Sequence, residues 1–547
     1  MHSDCHVSDV SAATQRARHG SAWISGRRLR PRFSGATAVR TRELPADFDL
    51  IEAFELLRAD PFPWLLDSAL PSRRLGHFSF AGSDPYLVLR AFGERVELDC
   101  RRAVRADLTP GGSALEYDPL EVVRSLLPVP PGERGGGELP VPFVGGAVGY
   151  WGYELAQCVE PVSLRARNDL GLPDLVLLFV DRLLAVDRLE GRALAVGLGF
   201  GADPAEAALR AVAAADELAG RFQGLRVRPA RAAARATSDS NELEARRRLL
   251  STPLAPELCS FFDRDSYARA VASIGDEIAA GNVYQANLTQ RMDLPCTSEP
   301  WAVYRTLRRV SPAPFAAYLE LPEVTIASSS PERFLKLGST GQVESRPIKG
   351  TRRRGETRHD DALLASELAA SAKDRAENLM IVDLVRNDLG RVCQIGSVAV
   401  PELMAIESYA TVFQMVSSVT GRLRPGCDAT DLIRAAFPPG SMTGAPKIAA
   451  MRILDAIEPV RRGVYSGAIG YLDVRGGADL SVVIRTLLMK DGRAYLHAGG
   501  AVVADSDPVA EYHESLDKAR ALLAAVASPD IQPGRVASGP PPSSQSR

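Results

Sequence analysis

The chain is short of paired cysteines, lysine, aromatic residues and long apolar runs, and each shortage excludes something. Its 547 residues include seven cysteines, Cys5, Cys100, Cys158, Cys259, Cys296, Cys393 and Cys427. They are odd in number and scattered, with no Cys-x-x-Cys pair, so neither a disulfide framework nor a zinc site is indicated. Reduced thiols in a cytoplasmic protein are the expectation. No apolar run reaches the roughly 18 residues of a membrane span. The best stretch, 172–201, is broken by Asp174, Asp181, Arg182, Asp187, Arg188 and Glu190. The formal net charge is only −2, so no global positive field exists to hold nucleic acid or an anionic membrane. What is present, 46% hydrophobic and 24% charged residues, excludes a disordered or fibrous chain.

The shortage of lysine is the most informative. Of 65 basic residues only six are lysine: Lys336, Lys349, Lys373, Lys447, Lys490 and Lys518. Where charge alone matters this chain uses arginine, so a retained lysine can be there for its amine, which can lose a proton where a guanidinium cannot.

Composition divides the chain. Residues 1–43 lack apolar periodicity and a secretory apolar core and are expected to be a disordered extension. Residues 44–222 carry short apolar runs, such as Tyr86-Leu-Val-Leu-Arg-Ala-Phe92 and Leu175–Val180, that suggest strands. An Ala-rich helix follows Asp203-Pro204, with Asp203 as cap. The Arg/Ala/Ser/Pro stretch 223–245 reads as a linker. Residues 246–527 are a larger mixed α/β region, with a helix expected from Ser266 to Gly281. Residues 528–547 read as a disordered tail. The two main regions are expected to pack as one body.

Four groups of residues could carry chemistry. The segment 328–351 reads as a β-hairpin turning at Gly338-Ser-Thr-Gly341. Pairing Leu337 with Gln342 places Glu332 opposite Pro347 and Ser330 opposite Lys349. Glu332 and Lys349 then share a face as diagonal neighbours, a carboxyl acid/base beside an amine nucleophile. A solvated ion pair is the plainer reading of the same two residues. Asp374 and Glu377 share one helix face, and Glu511 and Glu514 share another, behind Asp507 and Pro508 as cap and first turn. Four carboxylates from two helices could hold Mg²⁺, although acidic pairs on helices are usually solvated. The run Pro438-Pro-Gly440-Ser441-Met-Thr-Gly-Ala-Pro-Lys447 is a loop entering a helix that could bind a carboxylate or could be a plain turn. Arg485 lies in the apolar stretch 480–489 and, if buried, needs an anion.

Together these segments closely resemble the chorismate-binding enzymes, which include anthranilate, aminodeoxychorismate, isochorismate and salicylate synthases. The motifs are Gly281-Asn-Val-Tyr-Gln-Ala-Asn-Leu288, Ile381-Val-Asp-Leu-Val-Arg-Asn-Asp-Leu-Gly390, Gly440-Ser-Met-Thr-Gly-Ala-Pro-Lys447 and Tyr465-Ser-Gly-Ala-Ile-Gly-Tyr471. The likeness is strong over 263–521 and weaker over 44–200. It implies a large α+β fold with antiparallel sheets packed between helices. It also implies Glu332 as general acid/base at the C4 oxygen of chorismate. Glu377 and Glu514 would bind Mg²⁺, with Asp374 and Glu511 nearby. Tyr465 and Arg485 would hold the enolpyruvyl carboxylate, with Ser441, Gly499, Gly500 and Lys518 lining the pocket.

The sequence Pro347-Ile-Lys349-Gly-Thr351 decides among the amination chemistries. Relatives that make anthranilate have alanine at this lysine; lysine marks those that aminate C4, because a neutral amine can first form an adduct at C2. The resemblance therefore implies formation of 4-amino-4-deoxychorismate for p-aminobenzoate and folate. Anthranilate synthesis and p-aminobenzoate supply for an antibiotic are the alternatives within the family, and a non-catalytic binding protein is the one outside it. No cysteine stands in a Gly-x-Cys-x-Gly setting, so a separate glutamine amidotransferase is expected to supply ammonia. The chain departs from its relatives at Phe413-Gln414 (where Met-His is common), Ala501 (for glycine) and Asp67 (for glutamate). Ser311-Pro-Ala-Pro-Phe also departs from the tryptophan-site pattern, which argues against feedback inhibition by tryptophan.

Overall fold

The computed structural model describes residues 33–71, 74–128, 141–223, 257–355, 357–409 and 412–528. Nearly all of the expected linker 223–245 and of the tail 528–547 lies outside these, as do residues 1–32 of the expected extension. The rest of that extension is corrected: Ala36–Glu43 is a strand, paired residue for residue with Ala193–Gly201. Its composition lacks an apolar alternation, and pairing with a buried neighbour orders it instead.

Two antiparallel sheets, each of twelve strands among the described residues, form an α+β fold. The first runs from Ala36–Glu43 through Ala193–Gly201, Arg182–Asp187, Phe78–Gly82 and Trp64–Asp67. It continues through Phe315–Glu320, Thr325–Ser330, Thr486–Lys490, Arg493–Val502 and Gln285–Pro295 to Cys259–Ser260. The second starts at Ile348–Arg353 and passes through Val412–Arg422, Gln342–Arg346, Arg333–Leu337, Ala478–Val482 and Ala468–Asp473. Gly146–Trp151, Leu175–Val180, Leu87–Phe92, Arg95–Cys100 and Gly111–Glu116 end this path. The twelfth strands lie beside the paths, Gly444–Ala445 on Gln285–Pro295 in the first sheet and Ala399–Ser408 on Val412–Arg422 in the second. Both sheets mix strands from before and after residue 223, so the two sequence regions share their sheets and form one body. Trp64, Phe80, Phe143, Leu177, Leu335, Tyr471 and Leu480 belong to one core cluster drawn from both sheets. A second cluster joins Leu65, Tyr318, Leu487 and Leu496 of the first sheet to the helices Leu50–Leu57, Pro300–Val310 and Pro508–Ala527. The apolar stretch 172–201 becomes three buried strands, and no described helix is long and apolar enough to cross a membrane.

Two of the three expected helix caps are present. Asp203 and Asp507 accept from the first-turn amides of Pro204–Gly220 and Pro508–Ala527. The helix Arg264–Ala279 is capped by Asp263 rather than Ser266, because the two form a reciprocal capping box in which Ser266 is the third helical residue. Gly197 and Gly199 have a packing role: a Cβ on either would meet the backbone of Pro204–Gly220, at 2.3 Å from Ala211 O and 2.0 Å from Ala207 O.

Candidate active site

Two of the chain's crossings between the sheets lie at neighbouring places. Thr325–Ser330 lies in the first sheet and Arg333–Leu337 in the second, with Glu332 on the crossing. Ala478–Val482 lies in the second and Thr486–Lys490 in the first, with Arg485 on the crossing at φ +51°. The continuous strand expected around Arg485 is therefore broken at that residue. The crossings are bonded to each other: Ser329 N–H donates to Arg485 O at 3.0 Å, and Val482 N–H to Glu332 O at 3.0 Å.

The predicted hairpin exists with a different register at its turn. Leu337 pairs with Val343, not Gln342, and a bulge between Arg333 and Lys336 shifts the ladder by one residue, so Arg333 faces Arg346 as expected. The expected Ser330–Lys349 pairing does not occur. Ser330 belongs to the first sheet, and Ile348–Arg353 leaves the hairpin to pair with Val412–Arg422. Lys349 and Glu332 nonetheless come close enough to influence each other's proton affinity.

Ser441, in the short helix Gly440–Thr443, joins them. Its carbonyl accepts from Lys349 Nζ at 3.2 Å, and its side chain lies close enough to Glu332 to favour the ionised carboxylate. Burial raises the Glu332 carboxyl from 4.5 to about 7, against the opposing pull of Ser441, Lys349 and the Ile348 amide. Desolvation lowers the Lys349 amine below the usual lysine range, although Glu377 and Glu332 oppose it. An acid that still holds its proton near neutrality thus stands beside an amine that gives one up more easily than an exposed lysine, which suits a carboxyl acid/base and an amine nucleophile.

Helices Ala372–Gly390, capped by Ser371, and Pro508–Ala527 supply the carboxylates. Glu377 and Glu511 are buried, and Lys373 Nζ lies between them at 3.9 and 3.0 Å. Burial raises the Glu377 carboxyl despite the nearby Lys349 and Lys373 charges. Glu514 is bound by Lys518 at 2.7 Å; desolvation acts against its charge, but Lys518 holds its carboxyl below the usual range. Asp374 is drawn aside, its carboxylate accepting from Arg352 at 2.9 Å. Among the described residues no three His, Cys, Asp or Glu side chains are grouped as a metal site. The Lys373 ammonium instead marks the place between Glu377 and Glu511 where positive charge is accommodated.

Gly499, Gly500 and Lys518 meet as expected. Lys518 Nζ donates to Gly499 O at 2.8 Å, and a Cβ on Gly500 would lie 2.8 Å from Glu511 Oε2. Arg485 donates to Lys518 O at 3.0 Å, and no carboxylate pairs with it among the described residues. Tyr465 is buried and stacks on His497 at 4.8 Å with their planes 11° apart.

A profile described as chorismate binding enzyme matches residues 82–524. The chain belongs to the chorismate-binding enzyme family. It is 42% identical over 501 residues to aminodeoxychorismate synthase of Streptomyces griseus, covering 89% of this chain and 64% of the relative. It is 38% identical to aminodeoxychorismate synthase component 1 of Klebsiella aerogenes, covering 86% of this chain and 95% of that protein. It is also 38% identical to anthranilate synthase component 1 of Pseudomonas aeruginosa, covering 89% and 94%. The chain thus spans slightly less than two thirds of the Streptomyces griseus relative. The crystal structure of anthranilate synthase component I from Streptococcus pneumoniae superposes with a TM-score of 0.66 at 28% identity, covering 83% of this chain and 93% of that one.

Sequence reasoning missed two buried ion pairs that frame this candidate site. Lys447, at the end of the Gly440–Lys447 motif, binds Asp388 at 2.9 Å and the Ala436 carbonyl at 2.7 Å. Arg462 binds Glu458 at 2.7 Å. The i, i+4 spacing of Glu458 and Arg462 was a usable signal; Asp388 and Lys447, 59 residues apart, gave none.

Proposed function

We propose that this chain converts chorismate and ammonia to 4-amino-4-deoxychorismate through a covalent adduct of Lys349. The observation that carries the reading is the Lys349–Ser441–Glu332 arrangement, an amine of lowered proton affinity beside a buried carboxyl raised to about 7. Lys349, as neutral amine, attacks C2 of the ring. The double bond shifts and the C4–O bond breaks, with Glu332 giving its proton to the departing hydroxyl as water. Glu332, now a carboxylate, accepts a proton from the new C2 ammonium. Ammonia then attacks C4, the double bond shifts back, and the C2–N bond to Lys349 breaks. The amine leaves with a proton returned by Glu332, and the proton lost by the new C4 amine restores the acid.

Tyr465 and Arg485 face the enolpyruvyl carboxylate in this reading. Arg485 is the better supported of the two, because it is a half-buried cation without a carboxylate partner among the described residues. The donor set fits Mg²⁺ at Glu377 and Glu511, where Lys373 already occupies the space between two buried carboxylates, with Glu514 beside them and Asp374 turned to Arg352. The ion would neutralise the ring carboxylate. Ammonia comes from a separate glutamine amidotransferase, consistent with the missing glutaminase cysteine motif. The product serves p-aminobenzoate and folate synthesis in a cytoplasmic setting; supply of p-aminobenzoate to an antibiotic would use the same chemistry.

The likeness to anthranilate synthases favours one rival, amination at C2 with loss of pyruvate. Incubating the purified chain with chorismate, Mg²⁺ and ammonium and identifying the product by mass and chromatography separates the two. Aminodeoxychorismate, lost in Lys349→Ala, is expected; anthranilate would overturn the proposal.

A further inference from the structure

Arg462 has no part in the amination chemistry, yet it is 2% exposed and reaches four segments of the chain. Nε and Nη2 donate to the two oxygens of Glu458 at 2.8 and 2.7 Å. Nη2 also donates to Asn287 O at 2.7 Å, and Nη1 donates to Met442 O at 2.7 Å and Ser466 Oγ at 3.2 Å. The guanidinium lies 4.7 Å from the centre of the Tyr153 ring. Glu154 holds the bend from behind, accepting from the amides of Arg462 and Gly463 at 2.9 Å each. Glu458 Oε1 is anchored in turn by the amide and hydroxyl of Thr289, at 2.9 and 3.0 Å.

Two of these partners adjoin the chemistry. Met442 follows Ser441, which touches both Lys349 and Glu332. Ser466, at φ +64°, follows Tyr465. We propose that Arg462 is a positioning residue that clamps the Ser441 turn to the Tyr465–Ser466 bend, fixing the nucleophile against the substrate's side-chain pocket. The proposal rests on reading Lys349, Glu332 and Tyr465 as facing substrate. An ion pair serving stability alone would need only Glu458. The bonds to Met442 and Ser466 point in other directions, and only a planar fork of five donors can serve all of them at once. Lysine keeps the charge but brings three donors at a single point.

The test compares Arg462→Lys and Arg462→Gln with the full chain. It measures thermal unfolding, kcat and KM for chorismate with ammonium, and the rate at which trinitrobenzenesulfonate labels Lys349 at pH 8, mapped by mass spectrometry. A displacement of about 1 Å at a reacting group costs about 100-fold in rate, so kcat of Arg462→Gln should fall by about that factor. Arg462→Lys should recover part of it, with KM changed less than about threefold in either folded variant. Labelling of Lys349 should change while that of Lys336 and Lys490 does not. A folded variant with unchanged kcat and unchanged Lys349 labelling overturns the proposal, as does a loss of kcat no larger than the unfolded fraction. Should neither variant fold, Ser466→Ala removes only the bond to the bend: a lowered kcat with KM changed less than about threefold is expected, and a wild-type kcat overturns the clamp. Absence of aminodeoxychorismate with the unaltered chain would overturn the amination reading instead, and the labelling, which needs no turnover, would still decide on Arg462.

Discussion

Lys349 donates its amine to the main-chain carbonyl of Ser441 at 3.2 Å. Because the carbonyl belongs to the backbone, it holds the amine whatever the residue's side chain does, while the side chain lies beside Glu332. Lys349→Ala and Lys349→Arg are both expected to lower the rate of chorismate amination by more than about 100-fold, the lower end of what a catalytic group contributes. Arginine keeps the charge but cannot become a neutral nucleophile. Steady-state kinetics with ammonium as nitrogen source check this; rescue by arginine would show that only the charge matters.

Glu332 ties both activity and stability to pH, and Glu332→Gln removes both dependences. As general acid it must be protonated, so the initial rate should decline as pH rises through about 7. Its folded proton affinity lies above the ordinary carboxylate value, so the folded state binds more protons than the unfolded state between pH 4.5 and about 7. The stability this gives is fully present below about 4.5 and is lost as pH rises through about 7. At 1.36 kcal/mol per pH unit the difference amounts to about 3 kcal/mol. Glu332→Gln does not titrate. It should therefore be inactive, yet gain stability relative to the wild type between pH 5 and pH 8 in urea unfolding.

Much of this site was legible in the sequence, and the failures have physical causes. Motifs at Gly440–Lys447 and Pro347–Thr351 pointed to Ser441 and Lys349, which the fold brings together with Glu332. The caps at Asp203 and Asp507 were legible because they are local. The register of the hairpin at its turn was not, since a bulge between Arg333 and Lys336 leaves no mark in an apolar pattern. Nor did local patterning reveal that Ser330 and Arg333 belong to different sheets, or that Asp374 on its helix is claimed by Arg352 from the strand Ile348–Arg353. Such partners are fixed by tertiary packing.

Gly500 is placed so that a single methyl group tests the carboxylate cluster. A Cβ there would lie 2.8 Å from Glu511 Oε2 and 3.7 Å from both Glu514 Oε1 and Lys518 Nζ. These are the ends of side chains, so Gly500→Ala should fold with little change in melting temperature while pushing Glu511 away from Lys373 and Glu377. The half-saturating Mg²⁺ concentration for activity should rise several-fold, with the metal-saturated rate also reduced. An unchanged Mg²⁺ dependence would remove Glu511 from the metal set.

Asp67 bears on regulation. A cleft of about 210 Å³ between the sheets is lined by Asp67, Ser68, Arg74, Phe315 and Arg333 among others. An amino-acid effector would need a free carboxylate there for its ammonium group. Asp67 is buried, and its oxygens are already taken by Arg308, by Arg188 at 3.0 Å, by Tyr304 at 3.2 Å and by Ser79 at 3.4 Å. Burial disfavours its charge, but Arg308 and Arg188 outweigh that and hold the carboxyl below its ordinary range. The Ser68 hydroxyl is likewise turned onto the Phe78 carbonyl at 2.5 Å. Admitting an ammonium would mean displacing a guanidinium from a buried pair, and breaking such a pair costs about 3–5 kcal/mol. Tryptophan at millimolar concentration is therefore expected neither to inhibit amination nor to raise the melting temperature. A ligand at 100 times its Kd would add about 2.7 kcal/mol of stability, an effect well within the reach of thermal unfolding. A clear rise accompanied by inhibition would show that Asp67 exchanges its arginine partners for the effector.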